Sequence, residues 1–179
     1  TEQFEKLIGN ALFDENTIWT FNVPMLTAKQ LEVKRTFIEQ VQKWTFSKLQ
    51  EQGTQFSQLY KPISILPPDQ YQAIMLQISE GCSYNKCTFC NFYRDRPFRI
   101  KGLEETRNHI KKVKAFFGED IYRRKTIFLG DANAIIIPQK RLLQLLDIIE
   151  DEFNFEPEKG KNIEGLYAFM DVFGLQYKS

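Results

Sequence analysis

All three cysteines of this chain lie within nine residues, at Cys82, Cys87 and Cys90. Directly before them, residues 72–79 read Gln-Ala-Ile-Met-Leu-Gln-Ile-Ser, a nearly continuous apolar run typical of a buried parallel strand. This strand is predicted to end at Gly81. The cysteines are therefore expected on a loop at the carboxyl end of a strand, where α/β sheets and barrels place their chemistry.

Strand-like and helix-like segments alternate after the cysteines. Hydrophobic periodicity predicts a helix over 103–117, a second strand over 125–131, a helix over about 138–153 and a third strand over 165–171. Strands that alternate with helices imply right-handed crossovers and a parallel sheet. The predicted fold class is therefore α/β.

The first 70 residues have a different pattern. Apolar residues recur near the helical period over 28–52, which predicts one helix that Gly53 ends, and the stretch from Trp19 to Pro24 is predicted to be extended. Prolines over 54–70 indicate a linker. We therefore expect residues 1–70 to form a helical N-terminal segment with a proline-containing linker, and residues 71–179 to form the α/β part.

Charge and composition limit the functional classes. The formal net charge of +1 argues against a general polyanion binder, so nucleic acid is a weakly supported partner. The segment 91–101 carries four basic and three aromatic residues, and a solvated loop is favoured there over a carboxylate or phosphate site. The sequence has no apolar run of about 18 residues and no visible secretory leader, which favours a cytoplasmic protein with reduced thiols and no membrane partner.

Several roles are open to the cysteines. Three is an odd number for disulfide pairing, and buried apolar filling does not explain their clustering. A structural zinc site would need His109, the only histidine, as its fourth ligand, but His109 lies in a predicted helix and is expected to be packed. Iron–sulfur ligation is favoured, because three thiolates on a four-iron cluster leave one iron open. An electron-transfer cluster with a non-cysteine fourth ligand is a further alternative.

The phrase Gly81-Cys82-Ser-Tyr-Asn-Lys-Cys87-Thr-Phe-Cys90 resembles the cluster loop of the radical S-adenosylmethionine (radical SAM) enzymes. Their signature is C-x3-C-x2-C after the first strand of a barrel, with an aromatic or apolar residue before the third cysteine. Phe89 holds that place here. The first gap is four residues, Ser83 to Lys86, so the loop is similar to a branch of the superfamily with a C-x4-C-x2-C spacing.

This resemblance implies cofactors and site residues. The cluster, a four-iron, four-sulfur (4Fe-4S) centre, would be held by Cys82, Cys87 and Cys90. S-adenosylmethionine would bind the open iron. Its methionine ammonium would be received at the end of the second strand, and its adenine would meet an aromatic ring and a backbone edge after the third cysteine. The cofactor-binding residues implied in this way are Phe89, Phe92, Gly130, Asp131 and Asn133, the last being the weaker candidate.

The resemblance also implies a reaction class and an architecture. Radical SAM enzymes use an electron donor such as a flavodoxin or ferredoxin to cleave S-adenosylmethionine to a 5′-deoxyadenosyl radical. Their core is a partial barrel of six βα units, of which residues 72–179 would supply the first half. Three strands cannot close a barrel, so we expect the third strand to expose an edge that favours self-association. The substrate and any further catalytic residue are not readable from the sequence.

Overall fold

The computed structural model describes residues 27–153, 155, 163–176 and 178. The predicted extended stretch from Trp19 to Pro24 lies outside these residues. The chain divides into two compact units, Thr1–Gln55 and Phe56–Ser179, and each is described by itself. Within the described ranges, no helix is both long enough and apolar enough to cross a lipid bilayer.

The described part of the first unit is helical. Helix α1 (Ala28–Gln42) begins at a capping box in which the Thr27 hydroxyl accepts a hydrogen bond from the Gln30 N–H at 3.3 Å. Helix α2 (Phe46–Leu59) follows after a break and runs across the limit between the two units. The prediction of a single helix ending at Gly53 is therefore wrong. A glycine inside a helix costs only about 1 kcal/mol, which is too little to end α2 without a further stop signal.

After α2, the described residues of the second unit form five strands and three further α-helices. Its strands are β1 (Ile74–Gln77), β2 (Ser79–Glu80), β3 (Arg99–Ile100), β4 (Thr126–Gly130) and β5 (Gly165–Ala168). Its helices are α3 (Leu103–Phe117), α4 (Gln139–Phe153) and α5 (Val172–Leu175). Strands β1, β4 and β5 form a three-stranded parallel sheet with β4 at its centre. The α/β fold class with parallel strands is thus confirmed.

Both faces of β1 and β4 are buried, which explains why their sequences read as apolar runs. Because side chains alternate along a strand, the register places Ile74, Leu76, Ile127 and Leu129 on one face. They share a core with the inward residues of α3 and α4, namely Ile110, Val113, Leu145 and Ile149. The opposite face carries Met75, Gln77, Phe128 and Gly130, so the residues that lead to the candidate site begin on that face.

The outer edge of β1 is capped by side chains. The Tyr60 hydroxyl donates to the Met75 carbonyl at 3.0 Å, and the Gln77 N–H donates to Nε2 of His109 at 3.2 Å. The predicted linker at 54–70 therefore contributes to the second unit along β1. Whether residue 70 marks a domain boundary stays a prediction.

A short antiparallel pair was not predicted. Ser79 of β2 pairs with Ile100 of β3, and Glu80 pairs with Arg99. The predicted strand 72–79 is therefore split into β1 and β2, because the chain leaves the parallel sheet at Ile78. Two-residue strands carry no periodic signal in the sequence, so this ladder could not be recognised.

The remaining elements follow the predictions more closely. Helix α3 has the predicted bounds, and α4 begins one residue after Pro138, whose carbonyl accepts from the N–H groups of Arg141 and Leu142. The third strand is shorter than predicted, since β5 ends at Ala168. Asp171 instead caps α5, with its carboxylate accepting from the Gly174 N–H at 2.7 Å.

Candidate functional site

The cysteines lie on a loop, residues 81–98, that we call the cysteine loop; it joins β2 to β3, and their pairing closes its base. At Gly81 the backbone has φ of 76°, a left-handed conformation that favours glycine. A Cβ at this position would lie 2.7 Å from the Pro97 carbonyl oxygen. Glycine therefore allows the two ends of the cysteine loop to approach each other.

Asp131, at the end of β4, is buried and ties the sheet to the cysteine loop. Its Oδ2 accepts from the Gly81 N–H at 2.9 Å and from Nε of Arg96 at 3.1 Å. Its Oδ1 accepts from Nε2 of Gln77 at 2.7 Å. One carboxylate thus holds the start of the loop, a residue near its end and the end of β1.

The structure places Gly130 and Asp131 at the end of β4, beside the cysteine loop. Both residues accept hydrogen bonds from other groups of the protein. The Gly130 carbonyl accepts from the Ser79 hydroxyl at 3.1 Å, and Asp131 accepts from the three groups above. Their role as acceptors of a cofactor ammonium stays a prediction.

Arg96 is the buried partner of Asp131, with 8% of its side chain exposed. It also donates from Nη1 to Oδ2 of Asp95 at 2.7 Å and from Nη2 to the Pro62 carbonyl at 2.7 Å. Its guanidinium lies 5.3 Å from the centre of the Tyr93 ring. The expectation of a solvated loop over 91–101 is therefore wrong at Arg96, because the buried carboxylate of Asp131 needs a cation.

A second arginine ties the cysteine loop to itself. Arg94 donates from Nη2 to the Cys87 carbonyl at 2.8 Å and from Nε to the Cys90 carbonyl at 3.3 Å. Asn85, with φ of 45°, donates from Nδ2 to the Tyr93 carbonyl at 2.9 Å. Its N–H also points at Sγ of Cys82 at 3.4 Å. These contacts fix the backbone between the cysteines.

The three thiols are free and half-buried. In the ranges that the structure describes, no three His, Cys, Asp or Glu side chains are arranged to hold a metal ion. Burial raises the pKa of Tyr93 to about 12, and the negative charge of Asp131 adds to this effect while Arg96 opposes it.

The aromatic residues implied in adenine binding differ in their surroundings. The Phe89 side chain is 92% exposed, so its ring is open to a ligand. Phe92 is about half exposed, and its carbonyl accepts from the Ser64 hydroxyl at 3.0 Å. The predicted adenine contacts at Phe89 and at the backbone of Phe92 stay predictions.

Asn133 is the implied pocket residue whose hydrogen-bonding groups are unused. It is only 7% exposed, and within the described residues neither Oδ1 nor Nδ2 has a hydrogen-bond partner. Both atoms face Gly174, where a Cβ would lie 3.5 Å from each of them. Because an unpaired buried polar group costs about 1–3 kcal/mol, this carboxamide is a candidate to bind a ligand.

His109 is buried and packed, as the sequence interpretation favoured. Its Nε2 accepts from the Gln77 N–H, and its ring meets Tyr60 edge-on at 5.6 Å. Burial lowers the pKa of His109 to about 4, an effect that Lys101 strengthens and Glu80 weakens. One of the two ring nitrogens that could bind zinc is thus occupied by β1.

The sequence interpretation missed a charge network at the base of the cysteine loop. Arg99 binds both oxygens of Glu80, at 2.8 and 2.9 Å, and also contacts Glu105 at 2.6 Å. Lys101, which is buried, lies 3.3 Å from Glu80. The solvated-loop expectation is therefore also wrong at Lys101. The sequence signal for this network is the opposite charge of residues on β2 and β3. That signal can be recognised only when the pairing of the two strands is known.

No family model, curated protein or solved structure matches this chain. What the chain does must therefore be inferred from its residues and their geometry.

Proposed function

We propose that this chain is the first half of a radical SAM enzyme, in which Cys82, Cys87 and Cys90 hold a 4Fe-4S cluster. The observation that carries the proposal is the position of the cysteine loop. It follows the carboxyl end of β1 through the short strand β2, and Asp131 bonds it to the carboxyl end of β4. Loops at this edge of a parallel sheet form the active sites of α/β barrels.

The sheet order supports the same proposal. Strands β1, β4 and β5 are parallel neighbours in the order of the chain, as the first three strands of a barrel would be. In this reading α3 and α4 are the crossover helices between them. The completed barrel is part of the proposal, since the described sheet contains three strands.

The donor chemistry of the loop supports a thiolate-bound cluster, but in the described residues the three thiols are not arranged to hold a metal ion, so the loop would have to rearrange on binding. The three sulfur atoms are free, partly exposed and close in sequence, and thiolates are the usual ligands of iron–sulfur clusters. His109, the one histidine of the chain, is engaged in the core through Nε2. Three thiolates without a fourth protein ligand would leave one iron for S-adenosylmethionine.

When bound there, the cluster and S-adenosylmethionine would supply reductive cleavage of the sulfonium carbon–sulfur bond, with the electron coming from a flavodoxin- or ferredoxin-type donor. The residues of this chain would bind and orient. Phe89 would cover an apolar ring, and the Asn133 carboxamide would pair with a polar group of the cofactor. Asn133 and Asp131 are buried, so a cofactor group bound beside them would be shielded from water.

The proposal is tested by anaerobic reconstitution with iron and sulfide. We expect about four irons and four sulfides per chain. Single Cys82→Ser, Cys87→Ser and Cys90→Ser variants should each lose most of this content, because each removes one of three ligands. Thr88→Ala, which changes the same loop without removing a thiol, is the matched control and should retain the cluster. Stoichiometric zinc with no stable iron would overturn the proposal in favour of a structural zinc module.

A further inference from the structure

We infer that Arg96 and Asp131 act as a positioning pair for the cysteine loop. In this role the Asp131 carboxylate binds the Arg96 guanidinium instead of a cofactor ammonium. This inference rests on the proposed function, because it takes the cysteine loop as the ligand-bearing loop. It differs from the role that the resemblance implied for Asp131. It also gives a role to Arg96, which no sequence motif singled out.

The burial of the pair supports this assignment. The side chains of Arg96 and Asp131 are 8% and 1% exposed, and Nε lies 3.1 Å from Oδ2. A buried carboxylate requires a charged partner and hydrogen-bond donors, and Asp131 obtains both from Arg96, Gly81 and Gln77. A cofactor ammonium at the same oxygens would meet a guanidinium that already neutralises their charge.

The contacts lead directly to the first cysteine. Gly81, whose N–H donates to Asp131, is the residue before Cys82, so any shift of Gly81 moves Cys82 with it. On the other side, Arg96 joins the end of the loop to Asp131 and to the Pro62 carbonyl. The pair therefore fixes both ends of the loop relative to the end of β4. Groups that orient metal ligands in this way commonly change metal affinity about 10- to 100-fold when they are replaced.

Asp95 provides a matched comparison within the same structure. It contacts the same guanidinium at 2.7 Å, a shorter distance than that of Asp131, but its side chain is 52% exposed. An exposed ion pair contributes little. Asp95→Asn removes a carboxylate from Arg96 without touching the buried attachment, whereas Asp131→Asn removes the buried charge and keeps the shape.

The first readout uses the protein without iron. The rate at which iodoacetamide alkylates each cysteine is followed by mass spectrometry in the wild type, Asp131→Asn, Arg96→Gln and Asp95→Asn. We expect Asp131→Asn and Arg96→Gln to raise the rate at Cys82 several-fold relative to Cys87 and Cys90, and Asp95→Asn to leave all rates within about twofold of the wild type. Arg96→Lys, which keeps the charge, should restore most of the wild-type pattern. If Asp131→Asn does not fold, the comparison of Arg96→Gln with Arg96→Lys tests the inference.

Other results would overturn the inference. Equal acceleration at all three thiols would mean that the pair only stabilises the fold. An unchanged alkylation pattern in Asp131→Asn, together with weaker binding of S-adenosylmethionine by the reconstituted protein, would mean that Asp131 contacts the cofactor.

The second readout is retention of iron against a chelator after reconstitution. We expect a loss of about 10- to 100-fold in Asp131→Asn and Arg96→Gln, and none in Asp95→Asn. If the wild type binds no iron, the proposed function fails, while the alkylation pattern still decides whether the pair positions Cys82. If the wild type binds iron and Asp131→Asn retains it equally well, the positioning role fails alone.

Discussion

Asn133 is buried, and its carboxamide has no hydrogen-bond partner within the described residues. Replacing it with leucine keeps a similar size and removes two unpaired polar atoms, so we expect Asn133→Leu to stabilise the apo protein by about 1 kcal/mol. If the carboxamide binds S-adenosylmethionine, the same change should weaken its affinity about tenfold or more. Urea unfolding and titration calorimetry on the reconstituted protein measure the two effects.

Asn108→Leu is the control for this prediction, because Asn108 is exposed on α3. We expect this variant neither to gain stability nor to lose affinity for S-adenosylmethionine. A destabilised Asn133→Leu variant with unchanged cofactor affinity would show that the carboxamide has a structural partner, such as bound water, and does not contact a ligand.

His109 makes stability depend on pH. Its pKa falls from the ordinary value of 6.5 to about 4, first because it is buried and then because of Lys101 and Lys112, while Glu80 and Glu105 act in the opposite direction. The folded state therefore binds this proton less readily than the unfolded state. Its contribution is complete above pH 6.5 and is lost as the pH falls toward 4, by an amount of up to about 3 kcal/mol.

Denaturant unfolding of the wild type and His109→Gln between pH 4 and 7 checks this prediction. Glutamine does not titrate, and its carbonyl can still accept from the Gln77 N–H. We expect the stability difference between the two proteins to change steeply across this window. Parallel curves would rule out His109 as the titrating group.

The sequence allowed the ligand candidates to be recognised but not the contacts that hold them. Three cysteines in nine residues and a polar end to the second strand are local signals. The pairing of Arg96 with Asp131 spans 35 residues, and many arginines and carboxylates in this chain are equally plausible partners by sequence. Only the closure of the cysteine loop by β2 and β3 selects this pair.

At the level of elements, Gly81 is the position where the cysteine loop tolerates least change. Its φ is 76°, and a Cβ would lie 2.7 Å from a backbone oxygen, which cannot move as a side chain can. We expect Gly81→Ala to destabilise the protein by about 2 kcal/mol or more. Gly53→Ala in α2 is the control, since nothing lies within 4 Å of its added Cβ.

Gly53→Ala should stabilise the protein by up to about 1 kcal/mol, because alanine is the better helix former. Thermal unfolding of both variants, measured by circular dichroism, gives the comparison. If Gly81→Ala were as stable as the wild type, the close approach of the two ends of the cysteine loop would be wrong.

Periodic elements were predictable and short ones were not. Helix α3 buries Thr106, His109, Ile110 and Val113 at helical spacing, and the predicted bounds agree with the structure. The break between α1 and α2 at 43–45 and the ladder of β2 with β3 depend on local hydrogen bonds and strand pairing, which leave no periodic pattern. The sequence therefore predicted the parallel strands and the helices of the second unit. It did not predict the pairing of β2 with β3 that closes the cysteine loop.

At the scale of the molecule, the edge of β5 is a candidate surface for association. Within the described residues it pairs only with β4, and Leu166 and Tyr167 are 37% and 45% exposed. Such an edge favours pairing with another chain. We expect light scattering to show concentration-dependent self-association, and Leu166→Lys to reduce it.

The control for self-association is Leu143→Lys, because Leu143 is 52% exposed and lies on helix α4 instead of a strand. If the wild type stays monomeric at every concentration tested, the prediction that the β5 edge mediates self-association is wrong.

The central claim is that the cysteine loop holds a cluster with one iron open to S-adenosylmethionine. The most direct test is the electron paramagnetic resonance spectrum of the reconstituted, reduced protein with and without S-adenosylmethionine. We predict the signal of a reduced four-iron cluster, shifted when S-adenosylmethionine is added. A four-iron signal that ignores the cofactor would contradict the claim and indicate an electron-transfer module instead.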